Sequence, residues 1–333
     1  MRPERIVTVV VNWNGWRDTL TCVESMHALT GPPFELLICD NGSGDGSYEH
    51  LCAWARQALD AASETVSSLG SGEHVLCCRS PQKSATAHSL QAVYVMKLAR
   101  NAGYAGAINR CIEWSRGELQ PTAFWLLNND VRLQPDALFH LVACARSAPD
   151  AGLCGSVLLE WDDPERVQAI GGVFRWMIGV GAHLKRLPRT VAPGQPLFRG
   201  IDYPVGASLF VITEFIDAVG LMDDSYFLYF EEMDWVERGR VHGFVPVVAL
   251  NSKVRHKQGA STGSTGVRSQ SMLSEYYSVL NRLRFIRKFS PWRLPLVWLS
   301  LWLVLADRLL HSEWKRAAMV LRLMFRPGSV ARP

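Results

Sequence analysis

Hydrophobic and polar positions repeat with two different periods along this chain, and each change of period marks an element. The run IVTVVVNW is continuous and β-branched, and DTLTCVESMHAL then repeats its apolar residues at helical spacing behind an Asp placed to cap it. FELLICD follows as a second short strand and YEHLCAWARQAL as a second helix. This strand–helix–strand–helix order predicts a parallel sheet with right-handed crossovers. A polar, Ser- and Gly-rich stretch over residues 61–88 reads as a loop or a small excursion. Order resumes with AVYVMKL as a strand, residues 105–114 as a helix and TAFWLL as another strand. Beyond Asp136 come a helix through LFHLVACARS, a strand at GLCGSVLLE and a Gly-rich, hairpin-like region over residues 171–187.

Composition adds that the chain is globular. Of 333 residues 48% are hydrophobic and 20% charged, enough for a large core in one domain or two. The eight cysteines sit mostly in apolar strand-like or helix-like settings and none forms a C-x-x-C pair. They read as reduced core thiols, not as a disulfide framework or a zinc site. The opening MRPERIVTVVVNW places basic residues before an apolar run, but the run is short and no small-residue cleavage site follows, so it reads as a first strand and not a signal peptide.

Charge is unevenly spread. Within the net +4, the segment from Arg282 onward has eleven Lys or Arg against two acids, Asp307 and Glu313, while the preceding residues are net negative. An acidic body with a basic tail suggests a catalytic unit whose tail meets an anionic surface, either membrane or nucleic acid. The tail also contains PWRLPLVWLSLWLVLADRLL, whose apolar centre from Leu294 to Ala306 is too short for a transmembrane helix and suits an interfacial or buried one. Trp292, Trp298, Trp302 and Trp314, flanked by Arg and Lys, are side chains that favour a headgroup boundary; an ordinary helix packed on the body is the alternative.

Five stretches carry candidate chemistry. In LLNNDV an apolar strand runs directly into two amides and a carboxylate. A turn accounts for those residue types, but Asp130 at the carboxyl end of a strand also stands where open α/β sheets place ligands, and could hold a hard divalent cation. CDNGSGDGS places Asp40 at a strand end before small residues; it reads either as an Asx turn or as an acceptor for the imide N–H of a uracil or thymine ring. With no G-x-G-x-x-G and no Walker Lys it is neither a Rossmann fingerprint nor a P-loop. LARNAGYAGAIN sets Arg100 and Asn101 before Gly103 and Gly106 at a helix start, which suits either a diphosphate or close helix packing. DDSYFLYFEEMDWVERG gathers Glu231, Glu232, Asp234 and Glu237 among aromatic residues. Acids at a helix start complement its dipole, and desolvation by the rings would raise a carboxyl pKa toward that of a general base. His256, in VRHKQGAST, matters only if the fold returns it to Asp130.

Taken in order, VVVNWNG, CDNGSGDGS, LARNAGYAGAIN, LLNNDV, VGASLFV, VGLMDDSYFLYFEEMDW and RHKQGAST resemble the family 2 glycosyltransferases, specifically their rhamnosyltransferase-like branch. The resemblance runs from about Val7 to Ser261. It implies an α/β protein of GT-A fold, a mostly parallel central sheet flanked by helices, with a catalytic domain over residues 1–265 and a basic, Trp-rich helical region over 266–333. By resemblance Asn12, Trp13 and Asp40 contact the nucleotide base, Arg100, Asn101 and Gly103 flank the ribose and diphosphate, and Asn129 lines the nucleotide-sugar pocket. LLNNDV stands where the family has D-x-D, so Asp130, joined by His256, is implied as ligand of Mg2+ or Mn2+; Asn128 replaces the first acid of that motif. The E-D-x-D pattern reads Glu231-Glu232-Met233-Asp234 here, which makes Glu232 the implied general base and Asp234 the second candidate.

The reaction so implied is an inverting transfer from a dTDP- or UDP-sugar, L-rhamnose among the candidates, to a hydroxyl of a glycan or polyprenyl-linked acceptor in bacterial cell-surface polysaccharide synthesis. The enzyme would be cytoplasmic and peripheral on the inner face of the plasma membrane, bound to its anionic surface through the tail. Two other readings differ in class: a noncatalytic nucleotide-sugar-binding module of the same fold, which retention of Asp40, Asp130, Glu232 and His256 opposes, and a nucleic-acid-binding protein using the basic tail, for which no motif is present and the body is acidic.

Overall fold

The computed structural model describes residues 5–58, 63–79, 89–257 and 271–326. Strand β1 (Ile6–Asn12) leads through helix α1 (Trp16–Ser25) to β2 (Phe34–Asp40) and α2 (Ser47–Ala58). Strands β3 (Ser63–Gly70), β4 (Glu73–Arg79) and β5 (Leu90–Lys97) precede α3 (Gly103–Glu118), β6 (Ala123–Asn128), β7 (Val131–Leu133) and α4 (Ala137–Ser147). Then come β8 (Leu153–Glu160), β9 (Val167–Ala169), β10 (Gly172–Arg175), β11 (Val180–His183), β12 (Leu197–Phe198) and β13 (Ser208–Ile212). The chain continues with α5 (Thr213–Val219), α6 (Glu231–Val241), β14 (Pro246–His256), α7 (Met272–Phe289), α8 (Leu294–Leu310) and α9 (Trp314–Phe325).

One large sheet has the order β12-β14-β8-β13-β6-β1-β2-β5-β4-β3. Its centre, β6-β1-β2-β5, is parallel, as the alternating pattern predicts. Strand β1 explains why the run is continuously apolar: Val7 and Val9 enter the core under α3, whereas Ile6 and Val10 enter the opposite core with Cys22 and Val23 of α1, Leu51 of α2 and Leu141 of α4. A strand covered on both faces has no polar side to show. Antiparallel β13 separates the parallel pairs, and a buried chain of hydrogen bonds, Trp125 Nε1 to Ser208 Oγ (3.0 Å), Ser208 to Ser156 and Ser156 to Ser252 (each 2.8 Å), ties it to its neighbours.

Two local expectations are corrected. In the stretch read as a loop or a small excursion over residues 61–88, residues 63–79 are not a loop but the hairpin β3–β4, which pairs antiparallel to β5 and ends the sheet. Its serines lie on an edge strand, where polar residues are expected, while Val75, Leu76 and Cys78 of β4 are buried. Residues 61–62 and 80–88 of that stretch lie outside the described residues. Asp18, expected to cap α1, is inside its first turn; Gly15 occupies the capping position with no side-chain cap.

The hairpin-like region is the two-stranded ribbon β10–β11. The boundary expected at residue 265 falls outside the described residues, but Phe285, Ile286 and Val297 of α7 and α8 belong to the same core as Phe174, Tyr226 and Phe230 of the body. All eight cysteines are free.

The three C-terminal helices are joined at Glu275. Its Oε1 accepts from Arg308 Nε at 2.7 Å and its Oε2 from Arg316 Nη1 at 2.6 Å, and Arg308 also reaches Glu313 at 2.9 Å. Glu275 and Arg308 are buried, and removing the carboxylate takes the Nε partner from a desolvated guanidinium, leaving it only the half-buried Glu313 and Asp307. Glu275→Ala is expected to lower unfolding free energy by about 2–3 kcal/mol in urea titration, since two charge-assisted hydrogen bonds are lost while Arg308 keeps Glu313. A loss below about 1 kcal/mol would mean that apolar packing alone holds the three helices together.

Candidate active site

The carboxyl ends of β1, β2 and β6 lie side by side, with Asn12 opposite Asp40 and Val11 opposite Asn128. Successive strands leave β1 in opposite directions here, which opens a crevice at the sheet's edge. Asn12 and Asp40 are fully buried and form the floor of this edge. Asn12 Nδ2 donates to Asp40 Oδ1 (2.9 Å) and its Oδ1 accepts from Thr19 Oγ1 (2.8 Å), while Asp40 Oδ2 accepts from the Ser43 amide (3.3 Å). Exposed above them are Trp13, Asn14 and Arg100. Asn129 turns away from the edge, donating to Thr19 Oγ1 at 3.1 Å and so fixing the start of α1.

The amino end of α3 differs from the expected open cradle. The Ala102 amide donates to Asn41 Oδ1 (2.9 Å), that of Gly103 to Asn101 Oδ1 (2.8 Å) and that of Tyr104 to the Phe227 carbonyl (3.1 Å). These donors serve the protein itself, and Asn41, which sequence reasoning passed over in the run CDNGS, organises them. Gly103 has φ +77°, and a Cβ there would lie 2.6 Å from the Phe227 carbonyl oxygen, so glycine is required by both conformation and space.

Asp130 follows β6 in a two-residue turn with Asn129, so the turn reading and the strand-end reading both hold. Strand β14 pairs antiparallel with β7, setting His256 opposite Val131, and this register returns His256 Nε2 to 3.4 Å from Asp130 Oδ1. Gln168, another residue without a sequence signal, determines the imidazole's tautomer. Its Nε2 donates to Glu160 Oε2 (3.2 Å) and to the His256 carbonyl (3.1 Å), so its Oε1 must accept from His256 Nδ1 at 2.7 Å. In the neutral ring the Nε2 lone pair then faces the Asp130 carboxylate. Two converging acceptors with an oriented second shell fit a divalent cation. Among the described residues no group of three His, Cys, Asp or Glu gathers around a metal position, so a cation would complete its coordination with ligand oxygens.

Helix α6 opens with Glu231 and Glu232 behind two consecutive left-handed residues, Tyr229 (φ +67°) and Phe230 (φ +75°). Such a turn persists only where its surroundings impose it. The buried Asn281 of α7 does so, donating to the Leu228 carbonyl at 2.8 Å and the Tyr229 carbonyl at 3.1 Å. The acids of the cluster then separate into two kinds. Asp234 is fully buried with both oxygens engaged, by Arg238 at 2.7 Å and Lys288 at 2.6 Å. Glu232 has a buried Oε2 with no hydrogen-bond partner among the described residues. Burial pushes its carboxyl up from 4.5 to about 7, and pushes Glu231, which also faces the Glu232 charge, well up. Gly206, in VGASLFV, backs onto it: a Cβ there would stand 3.8 Å from the Glu232 carboxyl. The site thus unites Asp130 with His256 and provides two desolvated carboxyls, Glu231 and Glu232, of which Glu232 is the less buried, while Asp40 and Asp234 serve as internal struts.

Residues 79–187 match the family model described as "Glycosyl transferase family 2". Over 290 residues the chain is 26% identical to the N-acetylglucosaminyl-diphospho-decaprenol L-rhamnosyltransferase of Mycobacterium tuberculosis (strain ATCC 25618 / H37Rv), covering 82% of each chain. Among solved structures, the mannosyltransferase PcManGT from Pyrobaculum calidifontis, in complex with GDP-Man and Mn2+, is similar with a TM-score of 0.57 at 11% identity, over 99% of this chain and 90% of that one. GalNAc-T7 with UDP, GalNAc and Mn2+ is similar with a TM-score of 0.58 at 15% identity, over 86% of this chain; the match spans about half (48%) of GalNAc-T7. At these identities the two structures establish the fold, which is of GT-A type.

Proposed function

Because the chain belongs to the family 2 glycosyltransferases and is rhamnosyltransferase-like among them, we propose that it transfers a sugar with inversion, L-rhamnose from a dTDP donor being the favoured case, to a hydroxyl of a polyprenyl-diphosphate-linked acceptor. The observation that carries this reading is Glu232, a desolvated carboxyl whose Oε2 lacks a partner at the head of a helix held by a strained turn. Poised near neutrality, it is matched to removing the proton of a hydroxyl as that oxygen attacks the anomeric carbon. One displacement needs one base and no protein nucleophile. Asp234, already bound to two cations, acts by fixing the first turn of α6.

Trp13 and Asn14 would face the base, and the exposed Arg100, which has no ion pair among the described residues, would meet the diphosphate. Asp130 and His256 would hold Mg2+ or Mn2+, which when bound supplies positive charge to the leaving diphosphate. The decaprenol-linked name of the relative and the apolar, basic tail both favour an acceptor at the cytoplasmic membrane surface in cell-surface polysaccharide synthesis. No helix among the described residues is long and apolar enough to cross a membrane.

A panel of dTDP-rhamnose, UDP-glucose, UDP-galactose, UDP-N-acetylglucosamine and GDP-mannose, scored by thermal shift with and without Mn2+, tests the donor. A Mn2+-dependent rise in Tm with dTDP-rhamnose is expected; a rise confined to another sugar nucleotide would replace rhamnose, and none at all would favour a noncatalytic role.

A further inference from the structure

Arg282 of α7 is buried, 8% exposed, yet meets no carboxylate among the described residues. Among the described residues its hydrogen bond is from Nη2 to the Ser300 hydroxyl of α8, and its buried Nε has no partner there. Buried guanidinium groups are ordinarily paired, and an unpaired one costs stability unless an anion completes it. Burial alone, with no opposing acid, pulls its pKa down to about 10.

A second arginine with an unpartnered Nε among the described residues lies near the β10–β11 ribbon. Arg293, just before α8, also has a buried Nε without a partner and no acid among the described residues. Its guanidinium lies 5.4 Å from the ring of Trp176 and 4.1 Å from that of Trp292. Both arginines border the turn of the β10–β11 ribbon. Trp176 is at one end of that turn; at the other is Gly179 (φ +66°), where a Cβ would stand 3.2 Å from Arg282 Cγ and 3.2 Å from Val297 Cγ1. The tip between them exposes Met177 and Ile178, and α8 exposes Leu296, Leu299 and Leu303 at spacings of one helical face, next to Trp292.

Exposed apolar side chains on two elements distant in sequence, with unmet guanidinium donors at their junction, match a lipid–water boundary, where hydrocarbon meets phosphate. We infer that Arg282 and Arg293, under the tip of the β10–β11 ribbon, bind the phosphate headgroups of anionic membrane lipids while Met177, Ile178 and the outer face of α8 enter the bilayer surface. The inference deepens the membrane reading given above and rests on it. It adds the ribbon as a second point of attachment outside the tail. The ribbon's base packs through Phe174 against Phe230 (6.2 Å between ring centroids), the residue before Glu231, so this attachment sets the active-site face at the membrane.

The test is sedimentation of the full chain with phosphatidylglycerol–phosphatidylcholine vesicles and with pure phosphatidylcholine vesicles, without donor or acceptor. The wild type is expected to bind the anionic vesicles more tightly, and increasingly so at low salt. Arg282→Met is expected to weaken that binding roughly tenfold while leaving Tm equal or higher, since Met removes an uncompensated charge. Met177→Ser/Ile178→Ser, at an exposed tip where folding is not at risk, should weaken binding to both kinds of vesicle. Equal binding of wild type and both variants would overturn the assignment, as would failure of the wild type to bind either vesicle. Inorganic phosphate raising Tm as much as anionic vesicles do would make the site one for free phosphate instead. An unchanged donor-induced thermal shift in these variants separates failure here from failure of the transferase reading.

Discussion

Glu232→Gln is expected to lower kcat for sugar transfer by roughly 10²–10⁴ while leaving the protein as stable as the wild type near pH 5 and more stable near pH 8. The amide keeps the shape of the side chain and removes only its ability to take a proton. The stability effect follows from linkage. Burial raises the carboxyl to about 7 in the folded state against 4.5 as its ordinary value, so the folded chain holds this proton more tightly than the unfolded one. The contribution is fully present below about pH 4.5 and is lost as pH rises through about 7. Above that pH the wild type must bury a charge that Gln does not carry. Melting curves at the two pH values, taken beside initial rates, check both halves. A variant that loses activity and stability together would make Glu232 a structural residue, and one that keeps its rate would remove it from the chemistry.

Asp130→Ala is the second large effect. It should abolish the Mn2+-dependent part of donor binding and lower kcat by about a thousandfold, equivalent to the several kcal/mol that a bound cation contributes to a developing charge. Gln168→Leu is its graded counterpart. Without the amide that orients His256, metal affinity should fall about 10–100-fold, with the maximal rate restored at high Mn2+. Titration of activity with Mn2+ reads both variants. Full activity of Asp130→Ala in the presence of EDTA would rule out Asp130 as a metal ligand and return LLNNDV to the status of a turn.

What could be read in advance follows from how local each signal is. The β-branched runs and helical spacings around β1, β2 and β6 are set by burial on two faces, so they were legible, and with them the strand ends where Asn12, Asp40 and Asn128 lie. The position of Asp130 just behind β6 was legible with them, but the residue types there fit a turn equally well, and only the resemblance singled it out as a metal ligand. His256 was only a conditional candidate, since its approach to Asp130 depends on the β7–β14 register, which no short stretch encodes. Gln168 and Asn281 gave no signal: a lone amide looks the same whether it orients a histidine, clamps a left-handed turn or faces water. The ribbon–α8 junction escaped for a related reason. Trp298 was grouped with the boundary tryptophans, but its Nε1 donates to the Met324 carbonyl at 3.1 Å and its ring packs against Phe325 of α9. Trp292, Trp302 and Trp314 are exposed, and the ribbon, whose Trp176 shares Arg293 with Trp292, comes from a Gly-rich segment with no tail-like composition.

The role of Glu232 is tested most directly by kcat as a function of pH, with saturating donor, acceptor and Mn2+. The profile should rise with unit slope through a single ionisation near pH 7 and then level, and the ionisation should be absent from the residual activity of Glu232→Gln. A rate that is flat from pH 6 to 8, or the same ionisation surviving in the Gln variant, would contradict Glu232 as the base.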